Sequence, residues 1–190
     1  MDQTELIEQI KAGDHQAFRQ LTEHYYPLVL KTSNSFVHNE EDAQDLSQEV
    51  FLEVYQSIHK FRKEAVISTW IYRITINKSL NFIRDRKRKQ FWGSLDMLSG
   101  KTGHKDENLL SNPGDNPGDI EIIERKRILY NSVENLPKNQ RIAFTLNKMD
   151  EMPYKQVAEV MDVSLSSVES LIHRARKNLQ ERLYKYYRKD

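Results

Sequence analysis

The 190-residue chain contains no cysteine, which excludes disulfide scaffolds, thiolate metal sites and cysteine nucleophiles. Long apolar runs are missing as well, and none approaches the roughly 20 residues needed to span a bilayer. Residues 1–12, MDQTELIEQIKA, are acidic and amphipathic rather than signal-like. These features predict a soluble, cytoplasmic protein. Glycine and proline are scarce outside one stretch: five of the six glycines and two of the five prolines lie between Gly93 and Ile120. Basic charge is missing from another, because Thr32 to His59 contains no lysine or arginine and six carboxylates, Glu40, Glu41, Asp42, Asp45, Glu49 and Glu53.

The formal net charge of +1 therefore conceals segregation. The run RDRKRK (84–89) sets five cations against one carboxylate, and the segment from Arg174 onward sets seven against two. Charge separated in this way suits different partners on different surfaces, two of them polyanionic. With 38% hydrophobic and 30% charged residues, the composition fits charge-rich amphipathic helices around small cores. The length fits one medium domain or two small ones.

The glycine- and proline-rich stretch has no apolar period and reads as a flexible linker over 93–120, between domains at 1–92 and 121–190. Fully extended, it would reach roughly 90 Å; as a coil, its root-mean-square span is about 30 Å. Both lobes read as helical, so the expected class is all-α. Leu6, Ile10, Phe18 and Leu21 fall on helical spacings with an interruption near Gly13-Asp14, and a second helix is predicted over Tyr26–Val37. A third begins near Asp42, its stripe Leu46, Val50, Val54 and Ile58 spaced i, i+4. Ser68 is a good N-cap for a fourth. In the second lobe Ile122, Leu129, Val133 and Leu136 precede a break at Pro137, and a short helix carries Ile142, Ala143 and Leu146.

Residues 153–179 carry the sharpest local pattern. Pro153 suits the first turn of a helix with an apolar face of Val157, Ala158 and Met161. Asp162-Val163 makes a tight connection, Ser164 is a good N-cap, and Val168, Ile172, Ala175 and Leu179 form the next helix's buried stripe. Ser167, Ser170, His173, Arg174 and Lys177 remain on its open face. Two helices and a tight turn of this kind match a helix-turn-helix, whose second helix meets base edges while its cations find phosphate. A helical hairpin with a solvated basic tail is the plainer alternative.

Along STWIYRITINKSLNFIRDRKRKQF (68–91), Ile67, Trp70, Ile71, Ile74 and Phe82 cluster on one flank and Ile76, Leu80 and Ile83 on another. Between them runs a polar strip, Arg73, Asn77, Arg84 and Arg88, suited to tracking a nucleic-acid strand. Phe61, followed by Arg62 and Lys63, has the composition to hold an unstacked base, although on spacing alone plain core packing is the safer reading. The acidic helix allows a solvated face, a docking surface for a basic partner, or a carboxylate metal site. The last would want Glu-x-x-His on a facing helix, and none exists. No nucleophile–base pair or phosphate loop is present and the six histidines are scattered, so no catalytic residue, metal or cofactor is expected.

Taken in order, DAQDLSQEVFLEVYQSIHKF (42–61), STWIYRITINKSLNFIRDRKRK (68–89) and LPKNQRIAFTLNKMDEMPYKQVAEVMDVSLSSVESLIHRARKNL (136–179) resemble the bacterial sigma-70 family, in particular its small extracytoplasmic-function (ECF) group. The resemblance implies a region 2 helical bundle and a region 4 helix-turn-helix on a flexible linker, and a non-enzymatic factor that directs RNA polymerase to promoters. It makes Asp42, Asp45, Gln48 and Glu49 contacts to the clamp helices of the polymerase's largest subunit, with the flap region as a further contact. Phe61, Arg73, Asn77, Arg84 and Arg88 become −10 DNA contacts, and Ser167, Glu169, Ser170, His173, Arg174 and Lys177 become −35 contacts. It also implies an anti-sigma partner and a monomer when free. At the positions of Glu169 and Leu171 the family often has Lys or Arg, so Glu169 is expected to select bases, by accepting from cytosine N4, rather than to add affinity. The rival reading is a self-sufficient helix-turn-helix regulator.

Overall fold

The computed structural model describes residues 3–61, 66–98 and 117–188, and every regular element among them is helical. The order is α1 (Gln3–Lys11), α2 (His15–Val37), α3 (Glu40–Ser57), a single 3-10 turn (Ile58–Lys60), α4 (Ile67–Leu98), α5 (Pro117–Glu134), α6 (Lys138–Lys148), α7 (Tyr154–Met161) and α8 (Leu165–Tyr187). The chain divides into two compact units, Met1–Arg84 and Asp85–Asp190. Both ends of the stretch read as linker are helical, since α4 runs to Leu98 and α5 starts at Pro117. The central part of that stretch lies outside the described residues, as do Arg62 and Lys63.

In the first unit, local chemistry sets the helix ends. Gly13 takes φ 90°, a left-handed value that glycine adopts without steric cost, and turns the chain between α1 and α2. Asp14 then caps α2, its carboxylate accepting from the Gln16 and Ala17 amides at 2.8 and 3.1 Å. At the other end His38 adopts φ 57°, and Asn39 caps α3 by accepting from the Asp42 amide at 2.8 Å. Glu40, Glu41 and Asp42 in the first turn of α3 complement its dipole.

Two helix boundaries differ from those the sequence predicts. Helix α2 is unbroken from His15 through Pro27 to Val37, instead of restarting at Tyr26. Pro27 lies on the exposed side, where water can serve the carbonyl that the missing N–H leaves unpaired. Helix α4 begins at Ile67, and the Trp70 amide bonds to the Val66 carbonyl at 3.3 Å, so Ser68 lies inside the first turn rather than capping it.

The core of this unit joins Ile7 and Ile10 of α1, Leu21, Tyr25 and Val29 of α2, Val50, Phe51 and Val54 of α3, and Ile67 and Ile71 of α4. Small buried hydroxyl residues return their protons within their own helices: Ser47 to the Ala43 carbonyl, Thr75 to Ile71 and Ser79 to Thr75, at 2.6, 2.9 and 2.8 Å. Burial of these polar groups is thereby satisfied.

In the second unit Val133, Leu136, Ala175 and Leu179 form a core against which Phe144 and Met149 pack. Ile122 and Leu129 do not join it: they are exposed, and Ile128 is buried in their place, a rotation of the predicted stripe. In α7, Val160 is buried beside Val157 and Ala158, whereas Met161 is half-buried. Pro153 is the N-cap rather than a first-turn residue.

Candidate protein- and DNA-binding faces

Helix α3 presents two surfaces. Its buried stripe, Leu46, Val50 and Val54, leaves Asp45, Gln48 and Glu49 exposed and Asp42 half-buried. Glu49 and Glu53 share Lys78 of α4 at 3.9 and 3.6 Å, so the C-terminal half of the acidic ridge is partly neutralised from within. Toward that end the ridge becomes apolar. Leu52 is 61% exposed, and with Phe18, Phe51, Tyr55, His15, Thr22 and Gln48 it lines a groove between α2 and α3. Tyr55 meets Phe18 edge-on at 4.8 Å. Sequence reasoning missed this apolar half. The signal was present: Leu52 falls off the i, i+4 stripe, and an apolar residue off the stripe of an amphipathic helix is one left for a partner.

The residues expected to read the single strand separate into two groups. Asn77, Arg84 and Arg88 are exposed on α4 and Arg73 is half-buried. Phe61 is only 5% exposed, belongs to the first unit's core and tilts against Trp70 at 5.3 Å, the packing that its spacing favours. The basic run also divides. Arg86 and Lys87 reach the buried carboxylate of Glu134 at 2.5 and 3.6 Å, and Lys87 donates to the Glu134 carbonyl at 3.2 Å. Arg141 donates to the same carbonyl at 3.1 Å. Burial pushes the Arg141 guanidinium below its ordinary value, and Glu134 opposes that shift. Glu134 thus gathers cations within the second unit, leaving Arg88 and Lys89 exposed.

The second unit contains the helix-turn-helix. Asp162 ends α7 at φ 57°, ψ 50°, a left-handed position that Asp tolerates better than most residues because its short side chain bonds locally. The missing glycine is therefore no obstacle to the turn. Ser164 caps α8, accepting from the Ser167 amide at 3.2 Å. Its hydroxyl also meets those of Ser166 and Ser167 at 3.0 and 2.8 Å.

Val168, Ile172, Ala175 and Leu179 are all buried, which fixes the opposite face. At about 100° per residue, Ser166, Ser170 and Lys177 lie along its centre, His173 and Arg174 about 50° to either side, and Ser167 and Glu169 toward its edges. Glu169, Ser170, His173 and Arg174 line one shallow concavity. Ser167 is half-buried with its amide bound in the cap, whereas Ser166, which sequence reasoning passed over, is exposed on the central strip. Arg174 donates to the Ser170 carbonyl at 3.2 Å, which holds its guanidinium along the helix. A polar helical face of this kind can meet base edges and phosphates together.

No group of three or more potential metal-binding side chains occurs among the described residues. No helix among them is long and apolar enough to cross a membrane.

Comparison with known proteins agrees with this arrangement. Residues 21–89 match the family described as Sigma-70 region 2, and residues 126–179 match Sigma-70, region 4. The ECF RNA polymerase sigma-E factor of Haemophilus influenzae is 30% identical over 179 residues, covering 94% of this chain and 93% of that one. The sigma-E factor of Escherichia coli is 28% identical, with 94% and 92% covered. Among solved structures, CnrH in complex with the cytosolic domain of CnrY aligns with a TM-score of 0.60 at 22% identity, covering 95% and 96% of the two chains. The sigma factor RpoE of Bartonella quintana, in complex with the anti-sigma factor NepR, aligns at 0.54 and 19%, covering 88% and 96%. The chain belongs to the ECF group of the sigma-70 family of transcription initiation factors.

Proposed function

We propose that this protein is a dissociable initiation factor that binds core RNA polymerase and directs it to promoters. In this reading residues 1–92 dock on the core enzyme and hold the −10 bases, 93–120 act as a tether, and 121–190 grip the −35 duplex. Asp42, Asp45, Gln48 and Glu49 meet the clamp helices of the largest subunit, and the groove at Leu52 and Tyr55 receives apolar side chains beside them. Arg73, Asn77, Arg84 and Arg88 track the unpaired strand. Glu169, Ser170, His173, Arg174 and Lys177 face the −35 element, with Ser166 in the place expected for Ser167, and the flap region supports the second domain. The protein acts in the cytoplasm as a monomer until it meets polymerase. An anti-sigma protein is its expected regulatory partner, by analogy with the Bartonella quintana factor solved with NepR.

The observation that carries this reading is the coexistence in one short chain of an acidic face grading into an apolar groove and a helix-turn-helix with a polar, basic open face. Energetics explain why both are needed. Separating about ten stacked steps costs roughly 14 kcal/mol, while specific over non-specific duplex binding yields only about 4–10 kcal/mol. The chain cannot open DNA unaided, and a polymerase must supply the remainder. The tether lets both domains engage at once and raises their effective concentration.

Run-off transcription tests the reading directly: promoter-specific transcripts should require both the chain and core polymerase. Tight binding to a two-fold duplex site without polymerase would instead mark a self-sufficient regulator. Asp45→Arg should weaken core binding by about 2–5 kcal/mol, the range for disrupting a buried interfacial charge pair, while helicity is retained. Polymerase binding at the original strength would overturn the docking assignment.

A further inference from the structure

Just past the basic run, α4 exposes two large aromatic side chains in succession. Phe91 is 62% and Trp92 59% exposed, and their rings meet at a 6.0 Å centroid distance with planes 75° apart. The protein's other tryptophan, Trp70, is half-buried against Phe61. Adjacent aromatics rarely remain this open without a partner, since each would bury a large apolar area if it could. Among the described residues neither of the two core clusters includes them. The match to region 2 ends at residue 89, two residues before the pair.

Their register is informative. Phe91 stands three residues after Arg88 on α4, about 60° around the helix, so the ring and the guanidinium share one side of it. Trp92 follows about 100° around. Arg88, which pairs with Asp85 at 3.7 Å, and Lys89 are both exposed and supply net positive charge within a turn of the rings. Cations that hold a backbone, followed by open rings on which bases can stack, are the composition of a single-strand binding surface. A docking site for an apolar protein segment would not need that flanking charge.

We propose that Phe91 and Trp92, with Arg88 and Lys89 beside them, form a stacking step for unpaired DNA bases just past the matched region 2 segment. This rests on the initiation-factor reading and adds a binding element to it. The step holds bases irrespective of sequence, because every base offers a π-face.

The test uses the full chain carrying Trp70→Phe, which keeps an aromatic ring against Phe61 and leaves Trp92 as the sole tryptophan reporter. Titration with single-stranded oligothymidylate at low salt should quench its emission saturably, and a duplex of equal length should not. In the wild-type background, Phe91→Ala/Trp92→Ala should weaken oligothymidylate binding about tenfold or more, while Phe91→Tyr/Trp92→Tyr retains most of it. Unchanged affinity in the double-alanine variant overturns the proposal. So does equal quenching by duplex, or shielding of Trp92 by core polymerase but not by the oligonucleotide. Run-off transcription by the wild-type chain is measured in parallel. If that succeeds while the strand leaves Trp92 untouched, only the stacking step falls. If it fails, the initiation-factor reading falls and the step with it.

Discussion

The exposed faces of α3 and α8 are both polar helical surfaces opposite a buried stripe, yet they differ in what lies beside the charge. On α3 the carboxylates lead into an open groove with Leu52 at its rim and Phe18, Phe51 and Tyr55 along it. On α8 the face from Ser166 to Lys177 holds hydroxyls, an imidazole, a carboxylate and cations, with no aliphatic side chain along its centre. A surface that binds protein gains from burying apolar area and uses charge to set its partner and register. A surface that enters a DNA groove meets phosphate and hydrogen-bonding base edges, where aliphatic area gains little. Charge alone therefore does not separate the two kinds of interface. The company it keeps does.

The most damaging change should be one that removes the platform beneath one face while leaving the other. Ile172 is 1% exposed under the α8 face, and Ile172→Ala should destabilise the second unit by about 2–5 kcal/mol. Duplex binding should fall with it, while hydrogen exchange in α1–α3 stays unchanged. Next comes the apolar rim itself. Leu52→Asp should weaken polymerase binding by about 2 kcal/mol or more, as for a hot-spot side chain, with no loss of thermal stability because the residue is already exposed. An equal loss of −35 duplex affinity in that variant would erase the distinction between the faces.

A smaller effect sharpens the comparison within α8. Glu169 repels phosphate but can accept from cytosine N4, so Glu169→Gln should alter preference at one −35 position by about 1–3 kcal/mol. Selection from a randomised −35 library measures this, and an unchanged preference would remove Glu169 from base reading. The least change is expected at the turn. Asp162→Gly at φ 57° should alter stability by under about 1 kcal/mol, with strain relief offset by chain entropy, and leave both binding activities as they were.

Much of this arrangement was legible in the residues. The Ser164 cap, the buried stripes of α3 and α8 and the break between α6 and α7 each follow from short-range rules, in which one residue's chemistry or a spacing of three or four decides the outcome. The strip on α4 followed from the same periodicity. Phe61 was open to two readings, base-holding loop or core, and the ring of Trp70 and the core around it take it in. Where the reading stopped short, the deciding contact lay far along the chain. Arg86 and Lys87 are indistinguishable by composition from Arg88 and Lys89, yet they reach a carboxylate 48 and 47 residues onward. Pro27 looks like a helix boundary until its side of α2 proves to face water.

By itself, then, the sequence determined the all-helical class, the Ser164 cap, the helix-turn-helix and the family, because capping and amphipathic period act over a few residues. Only the tertiary structure decided which exposed side chains remain available. It packed Phe61 into the core, drew two of the basic run's cations onto Glu134, put Ser166 rather than Ser167 at the centre of the α8 face, and opened the groove at Leu52. Availability depends on which distant groups arrive to cover a side chain or pair with it, and that is settled by packing between helices rather than by the pattern along any one of them.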